Sequence, residues 1–116
     1  MGKAIRATKK TEIKKHIRLA EAKMMQAELS QGPRQELLYA EAKDELIRAE
    51  HILPGSGSWK LACICARQGQ ERLCQKWLER AGKAGALPSR DTLMKSPHLS
   101  TVKNKRWFKR LVKNSV

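Results

Sequence analysis

The feature that most constrains the fold is the segment 58–81, in which small side chains recur at helical spacing. It predicts one helix from Ser58 to about Gln68, a tight turn at Gly69, and a second helix over 71–83. Small residues stand where these two helices must approach each other closely: Ala62, Cys65, Ala66, Cys74 and Ala81. Two helices that are joined by a tight turn and pack closely against each other form a helical hairpin. The segment therefore predicts a packing unit, and not a catalytic site.

The chain before this segment carries two more helical patterns. Thr11 is predicted to cap a first helix, whose apolar residues recur every three or four positions as far as Gly32. A second helix is predicted from about Pro33 to Leu53, where a Pro-Gly-Ser break begins. These two helices form a second pair ahead of the hairpin.

Two further helices are predicted near the C-terminus. Ser89 is the expected cap of a short helix over 90–95, and a final helix is predicted over 98–113. No stretch alternates apolar and polar residues long enough to form a strand. The predicted fold class is all-α, built from antiparallel helical hairpins with a capping C-terminal helix.

Charge is distributed unevenly along the 116-residue chain, whose net charge is +14. Residues 1–23 carry eight Lys/Arg and two acids, and residues 92–116 carry seven Lys/Arg and no acid. Residues 24–91 carry ten Lys/Arg and nine acids. This pattern is typical of two basic arms beside a nearly neutral body. Residues 1–10 are predicted to be a basic N-terminal tail, and residues 11–116 a single helical domain.

Composition predicts a cytoplasmic protein. No apolar run approaches the roughly 18 residues that a membrane span needs, and the N-terminus lacks the apolar core of a signal peptide. The three cysteines, Cys63, Cys65 and Cys74, are odd in number and have no CxxC spacing. They are therefore predicted to be reduced, buried and free of metal.

No motif points to catalysis. His16, His51 and His98 lie in three different segments, away from any Cys, Ser or Asp pattern, and are expected at the surface. The sequence contains no Walker loop, HExxH, GxSxG or GxGxxG motif. We expect no enzyme activity, no catalytic residue, no cofactor and no metal.

The aromatic pair Trp107–Phe108 has two interpretations. Because Arg106, Lys109 and Arg110 flank it, the pair can stack on nucleic-acid bases beside phosphate contacts. In the favoured interpretation, one ring lies in the core and the other is partly covered.

Two segments match each other at an offset of 32 residues. Residues 42–49 and 74–81 each have a small residue, a Leu four positions later and an Ala three positions after that. This offset is in the range of stacked helix-pair repeats. With Gly69 between one pair of helices and Pro54 after the other, the segments resemble the tetratricopeptide repeat (TPR).

Over about residues 36–112 the chain is similar to a bacterial variant, the TPR end-of-group domain. The resemblance is carried by Trp59-Lys-Leu-Ala-Cys63, by Gly69, and by a tail that ends in the Trp107–Phe108 pair. The chain has Trp59-Lys60 where Tyr-Asn is usual, and Ser96 where an acid is common. The resemblance implies a short TPR-like α-solenoid that serves protein–protein scaffolding, with no enzyme activity and no general ligand.

The predicted function is non-catalytic protein–protein interaction, as a scaffold or adaptor module. A clamp for a partner's C-terminal carboxylate is not expected, because Trp59 and Cys63 stand where its Lys and Asn would be needed. The third helix is predicted to face the partner, while a C-terminal basic cluster supplies positive potential. The predicted partner-binding residues are Trp59, Lys60, Cys63, Arg67, Lys105, Arg106, Lys109 and Arg110.

The alternative function is binding of RNA or DNA through the N- and C-terminal Lys/Arg clusters. The expected partner is a protein, and an acidic surface on that protein would suit the charge. An anionic membrane surface beneath the basic first helix and a second copy of the chain in a homodimer stay open. A continuous basic face formed by both termini would favour nucleic acid.

Overall fold

The computed structural model describes residues 7–114, which form helices and connecting turns and contain no strand. The helices are α1 (Ala7–Glu28), α2 (Gly32–Ile52), α3 (Ser58–Arg67), α4 (Glu71–Lys83), α5 (Arg90–Lys95) and α6 (Arg106–Lys113), with a 3₁₀ turn at Pro97–Leu99. The predicted all-α fold class is confirmed. The chain divides into two compact units, residues 1–57 and residues 58–116, called here the N-terminal unit and the C-terminal unit. The single domain over 11–116 and the stacking into a solenoid stay predictions.

The N-terminal unit is a hairpin in which α1 packs along α2. Small side chains are fully buried on both helices, including Ala20 and Ala27 on α1 and Ala42 and Ala49 on α2. Alanines at these positions let the helix axes approach closely. At the end of α1, the Ala27 carbonyl accepts hydrogen bonds from the Ser30 N–H (3.0 Å) and the Gln35 Nε2 (2.9 Å).

A buried carboxylate holds the loop that follows α2. Glu50 is 4% exposed and accepts hydrogen bonds from the N–H groups of Gly55 (3.0 Å) and Gly57 (2.8 Å). Gly57 has no room for a side chain, because a Cβ there would lie 2.5 Å from the carbonyl oxygen of Leu46. The loop therefore passes close to the backbone of α2, which explains why glycine stands at position 57.

The C-terminal unit begins with the predicted hairpin of α3 and α4. α3 ends in a Schellman motif: Gly69 has φ +74°, its N–H donates to the Ala66 carbonyl (3.1 Å), and the Gln70 N–H donates to the Cys65 carbonyl (2.8 Å). A left-handed φ costs glycine little, so the tight turn predicted at Gly69 is confirmed.

The core of the C-terminal unit joins this hairpin to the tail of the chain. Ala62 and Ala81, predicted at helix crossings, are both fully buried. α6 contacts both α4 and α5, and the 3₁₀ turn contacts α3. The core consists of Ala62, Cys65, Ala66, Cys74, Leu78, Leu93, Leu99, Val102, Phe108 and Val112.

The two ends of the described chain differ from the prediction. α1 begins at Ala7, so Thr11 lies inside the helix and is not its cap. Helix-forming Ala and Lys residues ahead of Thr11 extend the helix backwards. Residues 7–10 of the predicted basic tail are therefore helical, while residues 1–6 lie outside the described residues.

The predicted final helix over 98–113 is wrong in its first half. Turns follow the 3₁₀ segment, and α6 begins only at Arg106. In one continuous helix, Leu99 and Phe108 would point about 180° apart. Both are fully buried in the same core, so the chain must turn between them. By contrast, the prediction for α5 is confirmed, including the Ser89 cap, whose hydroxyl accepts from the Thr92 N–H (3.2 Å).

Candidate functional site

Charge is concentrated in the C-terminal unit. Residues 58–116 contain fourteen Lys/Arg and three acids, which gives a net charge of +11. Residues 1–57 contain eleven Lys/Arg and eight acids, which gives +3. The segment 24–91 is nearly neutral because it includes residues 24–57 of the N-terminal unit, which supply six of its nine acids. The body of the C-terminal unit is itself basic, and not only its end.

The three acids of this unit all have partners. Glu71, at the start of α4, accepts a hydrogen bond from the Trp107 indole Nε1 (2.9 Å), and its other oxygen lies 3.4 Å from the Lys105 Nζ. The hydrogen bond from Trp107, followed by Lys105, lowers the pKa of Glu71 below its usual value. Asp91 pairs with Lys95 (3.2 Å), and Glu79 accepts from the Gln75 amide (3.0 Å). Glu71 therefore stays ionised and fixes the indole of Trp107.

The basic residues predicted near the C-terminus lie at the surface. Lys105, Arg106, Lys109 and Arg110 are all exposed. The last three, together with Lys113, form what we call the basic face of α6. The opposite side of the helix carries fully buried Phe108, whose ring meets half-buried Trp107 edge-on with centroids 5.9 Å apart. The favoured interpretation of the aromatic pair, with one ring in the core and one partly covered, is confirmed.

The predicted partner-binding residues of α3 have different environments. Trp59 is half-buried against the core, and Lys60 is also half-buried. Arg67 is exposed and donates from Nε to the Nδ1 of His98 (3.0 Å). Cys63, predicted to face a partner, is only 2% exposed, so its side chain has almost no surface to offer.

A groove lies between α4, the loop that follows it, and α6, with a volume of about 920 Å³. Of the eight predicted residues, Arg110 lines it. Lys83, Leu87 and Leu111 also line the groove and were not predicted. For Leu111 the sequence contained one signal, the helical spacing that places it one turn after Trp107. No pattern in the sequence marked Lys83 or Leu87.

The cysteines are free thiols and all three are buried, as predicted. Burial raises the pKa of Cys63 and of Cys74 to about 12, so both stay protonated at neutral pH. His16 was expected at the surface, but it is half-buried and lies 2.7 Å from the carboxylate of Glu45. Residues 7–114 contain no group of three or more His, Cys, Asp or Glu able to hold a metal ion.

Within the described part of the chain, no helix combines the length and the apolar character needed to cross a membrane.

A comparison with protein-family models, with curated proteins and with solved structures finds no match to this chain. The resemblance to the TPR end-of-group domain therefore rests on the residues and spacings quoted above.

Proposed function

We propose that the protein is a non-catalytic, TPR-like binding module of the cytoplasm, whose C-terminal unit docks a partner protein with an acidic surface. The observation that carries this proposal is the net charge of +11 on residues 58–116. A charge of this size on a small folded unit attracts an acidic partner and raises its rate of encounter.

The burial of the matching segments supports a repeat. Ala42, Leu46 and Ala49 in the N-terminal unit are fully buried, and so are their counterparts 32 residues later, Cys74, Leu78 and Ala81. A helix-pair repeat needs its small and leucine positions at the crossings, where these residues lie. Scaffolding is the function that the resemblance implies for such a module.

The aromatic side chains favour a protein partner over a nucleic acid. Proteins that bind single strands stack bases on exposed aromatic rings. In the C-terminal unit, Phe108 is fully buried and Trp59, Trp77 and Trp107 are half-buried. The indole N–H of Trp107 is also held by Glu71. Because these rings are partly or fully buried, they expose less surface for base stacking than free aromatic side chains would.

Nucleic acid is the second candidate, because the same charge of +11 attracts phosphates. The two candidates differ in their response to nuclease and salt. We expect a tagged chain to recover one protein from its native host after nuclease treatment. Recovery that needs intact RNA or DNA, with binding that falls steeply as salt rises, would favour nucleic acid instead.

Binding kinetics against the captured partner test which residues take part. Replacing Arg106 and Arg110 with Ser should slow association and weaken its salt dependence, since exposed charges act mainly on encounter. Replacing Trp59 or Arg67 with Ala should mainly speed dissociation. Arg34→Ser, at an exposed position in the N-terminal unit, is the control for loss of charge alone. If Arg34→Ser slows association as much per charge removed, the C-terminal unit is not the docking surface.

A further inference from the structure

We infer that the groove between α4 and α6 receives a short acidic peptide segment of the partner that also carries apolar side chains, an inference that rests on the proposed function. Two helices form its walls through residues at helical spacing. Glu79, Gly82 and Lys83 lie on the α4 side, and Trp107, Arg110 and Leu111 lie on the α6 side. Each set follows the three- and four-residue spacing of one helix face, so the groove runs between two continuous surfaces.

Apolar side chains of the groove remain accessible to an occupant. Leu87, Pro88, Trp107 and Leu111 all line it, and all four are half-buried. Part of their surface is therefore in solvent. Leu87, Trp107 and Leu111 also pack against the core that contains fully buried Phe108. A volume of about 920 Å³ accommodates several side chains of a bound peptide. Covering this apolar surface would favour binding.

Positive charge stands on both walls. Lys83 on α4 and Arg110 on α6 are exposed and line the groove. The acid in the lining, Glu79, accepts a hydrogen bond from the Gln75 amide. Arginine binds carboxylates through paired hydrogen bonds. Together with the net charge of +11 on the unit, these groups select an occupant that is acidic as well as apolar.

Contacts within the C-terminal unit hold the walls of the groove in place. Glu71 holds the Trp107 indole at 2.9 Å, and the edge-on contact with Phe108 orients the same ring. The loop leaving α4 is closed by a second Schellman motif, in which the Gly85 N–H donates to the Gly82 carbonyl (3.1 Å) and the Ala86 N–H donates to the Ala81 carbonyl (2.8 Å). A preformed groove reduces the entropy that binding has to overcome.

A nucleic acid fits this groove less well than an acidic peptide. A strand is gripped by a row of cations along its phosphates and by stacking on its bases. The groove lining contains two cations, Lys83 and Arg110, and its apolar part includes the aliphatic side chains of Leu87 and Leu111. A peptide in which carboxylates alternate with apolar side chains complements this groove better than a nucleic acid does.

The first test compares two charge reversals that change the net charge equally. Arg110 lines the groove, whereas its exposed neighbour Lys109 does not. The probe is a fluorescein-labelled synthetic peptide in which Glu and Asp alternate with Leu and Phe, measured by fluorescence anisotropy. We expect Arg110→Glu to weaken binding at least about tenfold and Lys109→Glu by about twofold. Equal losses in the two variants, or no binding of the peptide to the wild-type chain, would overturn the groove.

The second test fills the groove without disturbing the core. A Cβ built on Gly82 meets nothing within 4 Å, so a long side chain there has room to enter the groove. Gly82→Trp should abolish peptide binding, whereas Leu73→Trp, at an exposed position of α4 outside the groove lining, should leave it unchanged. Circular dichroism checks that both variants keep their helix content. Unchanged binding by a folded Gly82→Trp variant would contradict the inference.

The outcomes separate this inference from the proposed function. If Gly82→Trp still recovers the nuclease-resistant partner while Arg106→Ser with Lys109→Ser, both outside the groove lining, does not, the binding function stands and the groove is not its site. If a labelled oligothymidine binds the wild-type chain and the acidic peptide does not, both proposals fail. Binding of the peptide with loss in Gly82→Trp supports both.

Discussion

The two units of this chain have nearly the same length, and each contains a helical hairpin, yet their surfaces differ. The N-terminal unit has a net charge of +3 and contains internal ion pairs, in which Glu45 meets both His16 (2.7 Å) and Arg48 (3.1 Å), and Lys23 meets Glu41 (2.9 Å). The C-terminal unit has a net charge of +11 and four of the five aromatic residues.

This contrast shows how one packing rule serves two purposes. Both hairpins pack in the same way: small residues lie at the helix crossings and a fully buried Leu lies between them, Leu46 in one unit and Leu78 in the other. The exposed positions are free to vary because they contribute little to packing. In the N-terminal unit eight acids offset most of the eleven Lys/Arg, whereas in the C-terminal unit three acids leave fourteen Lys/Arg largely unbalanced beside an apolar groove. This contrast in charge is the basis for the proposal that the C-terminal unit is the one that binds a partner.

The largest expected effect is on the core of the C-terminal unit, which contains the fully buried aromatic ring of Phe108. Phe108→Ala removes a fully buried ring and should lower the free energy of unfolding by roughly 3–5 kcal/mol. Urea unfolding followed by tryptophan fluorescence measures this, because Trp59, Trp77 and Trp107 all lie in this unit. The control Leu73→Ala, at a side chain that is 44% exposed, should change stability by about 0.5 kcal/mol or less. Equal effects of the two changes would mean that α6 is not docked on the core.

The next effect concerns the buried carboxylate of the N-terminal unit. Glu50→Ala leaves the N–H groups of Gly55 and Gly57 without the acceptor they have now, and should cost roughly 2–3 kcal/mol. Glu50→Gln keeps one acceptor oxygen and should cost less. Thermal unfolding followed by far-ultraviolet circular dichroism checks the order of the three chains. A Glu50→Ala variant as stable as the wild type would show that the loop does not depend on this carboxylate.

A smaller effect separates two glycines, one from each unit. Gly57→Ala places a Cβ against the Leu46 carbonyl oxygen and should destabilise the protein by about 1–2 kcal/mol. Gly82→Ala adds a Cβ in open space within a helix and should stabilise it by roughly 0.5–1 kcal/mol. Differential scanning calorimetry should therefore show shifts of opposite sign. Shifts of the same sign would contradict the close approach of the loop to α2.

Much of this fold follows from local sequence rules. Gly69 and the small residues around it determine the α3–α4 hairpin, and Ser89 caps the N-terminus of α5. The prediction failed where the tertiary core overrides local pattern. An apolar periodicity continues through 98–113, but burying Leu99 and Phe108 in one core requires the turns between them. The role of Glu50 was missed for a related reason, because only the folded loop brings Gly55 and Gly57 to its carboxylate.

The candidate site was less predictable than the fold. The exposure of Lys105, Arg106, Lys109 and Arg110 follows from their positions between apolar residues. The groove depends on α4, a loop and α6 meeting in space, and neither Lys83 nor Leu87 has a sequence pattern that marks it. The burial of Cys63 was consistent with its type, but the family resemblance had placed it facing a partner. Local periodicity gives a residue's position on its helix and does not say what covers that face.

The smallest effect distinguishes two carboxylates, one in each unit: Glu50 holds a loop, and Glu71 accepts a hydrogen bond from Trp107 of α6. Glu50 is buried, whereas Glu71 is half-buried. Because the folded-state pKa of Glu71 is below its ordinary value of 4.5, its contribution to stability is present above pH 4.5 and is lost as the pH falls through the folded pKa. Glu71→Gln should remove this acid-dependent loss and alter the tryptophan emission even at neutral pH, since the charged acceptor of the indole N–H is gone. Glu79→Gln, which replaces a carboxylate held by Gln75 on the same helix, is the control and should leave the tryptophan emission as in the wild type. An emission spectrum and an acid titration of Glu71→Gln that match the wild type would show that Trp107 is fixed by packing on Phe108 alone, and the groove would then depend on the core and not on this hydrogen bond.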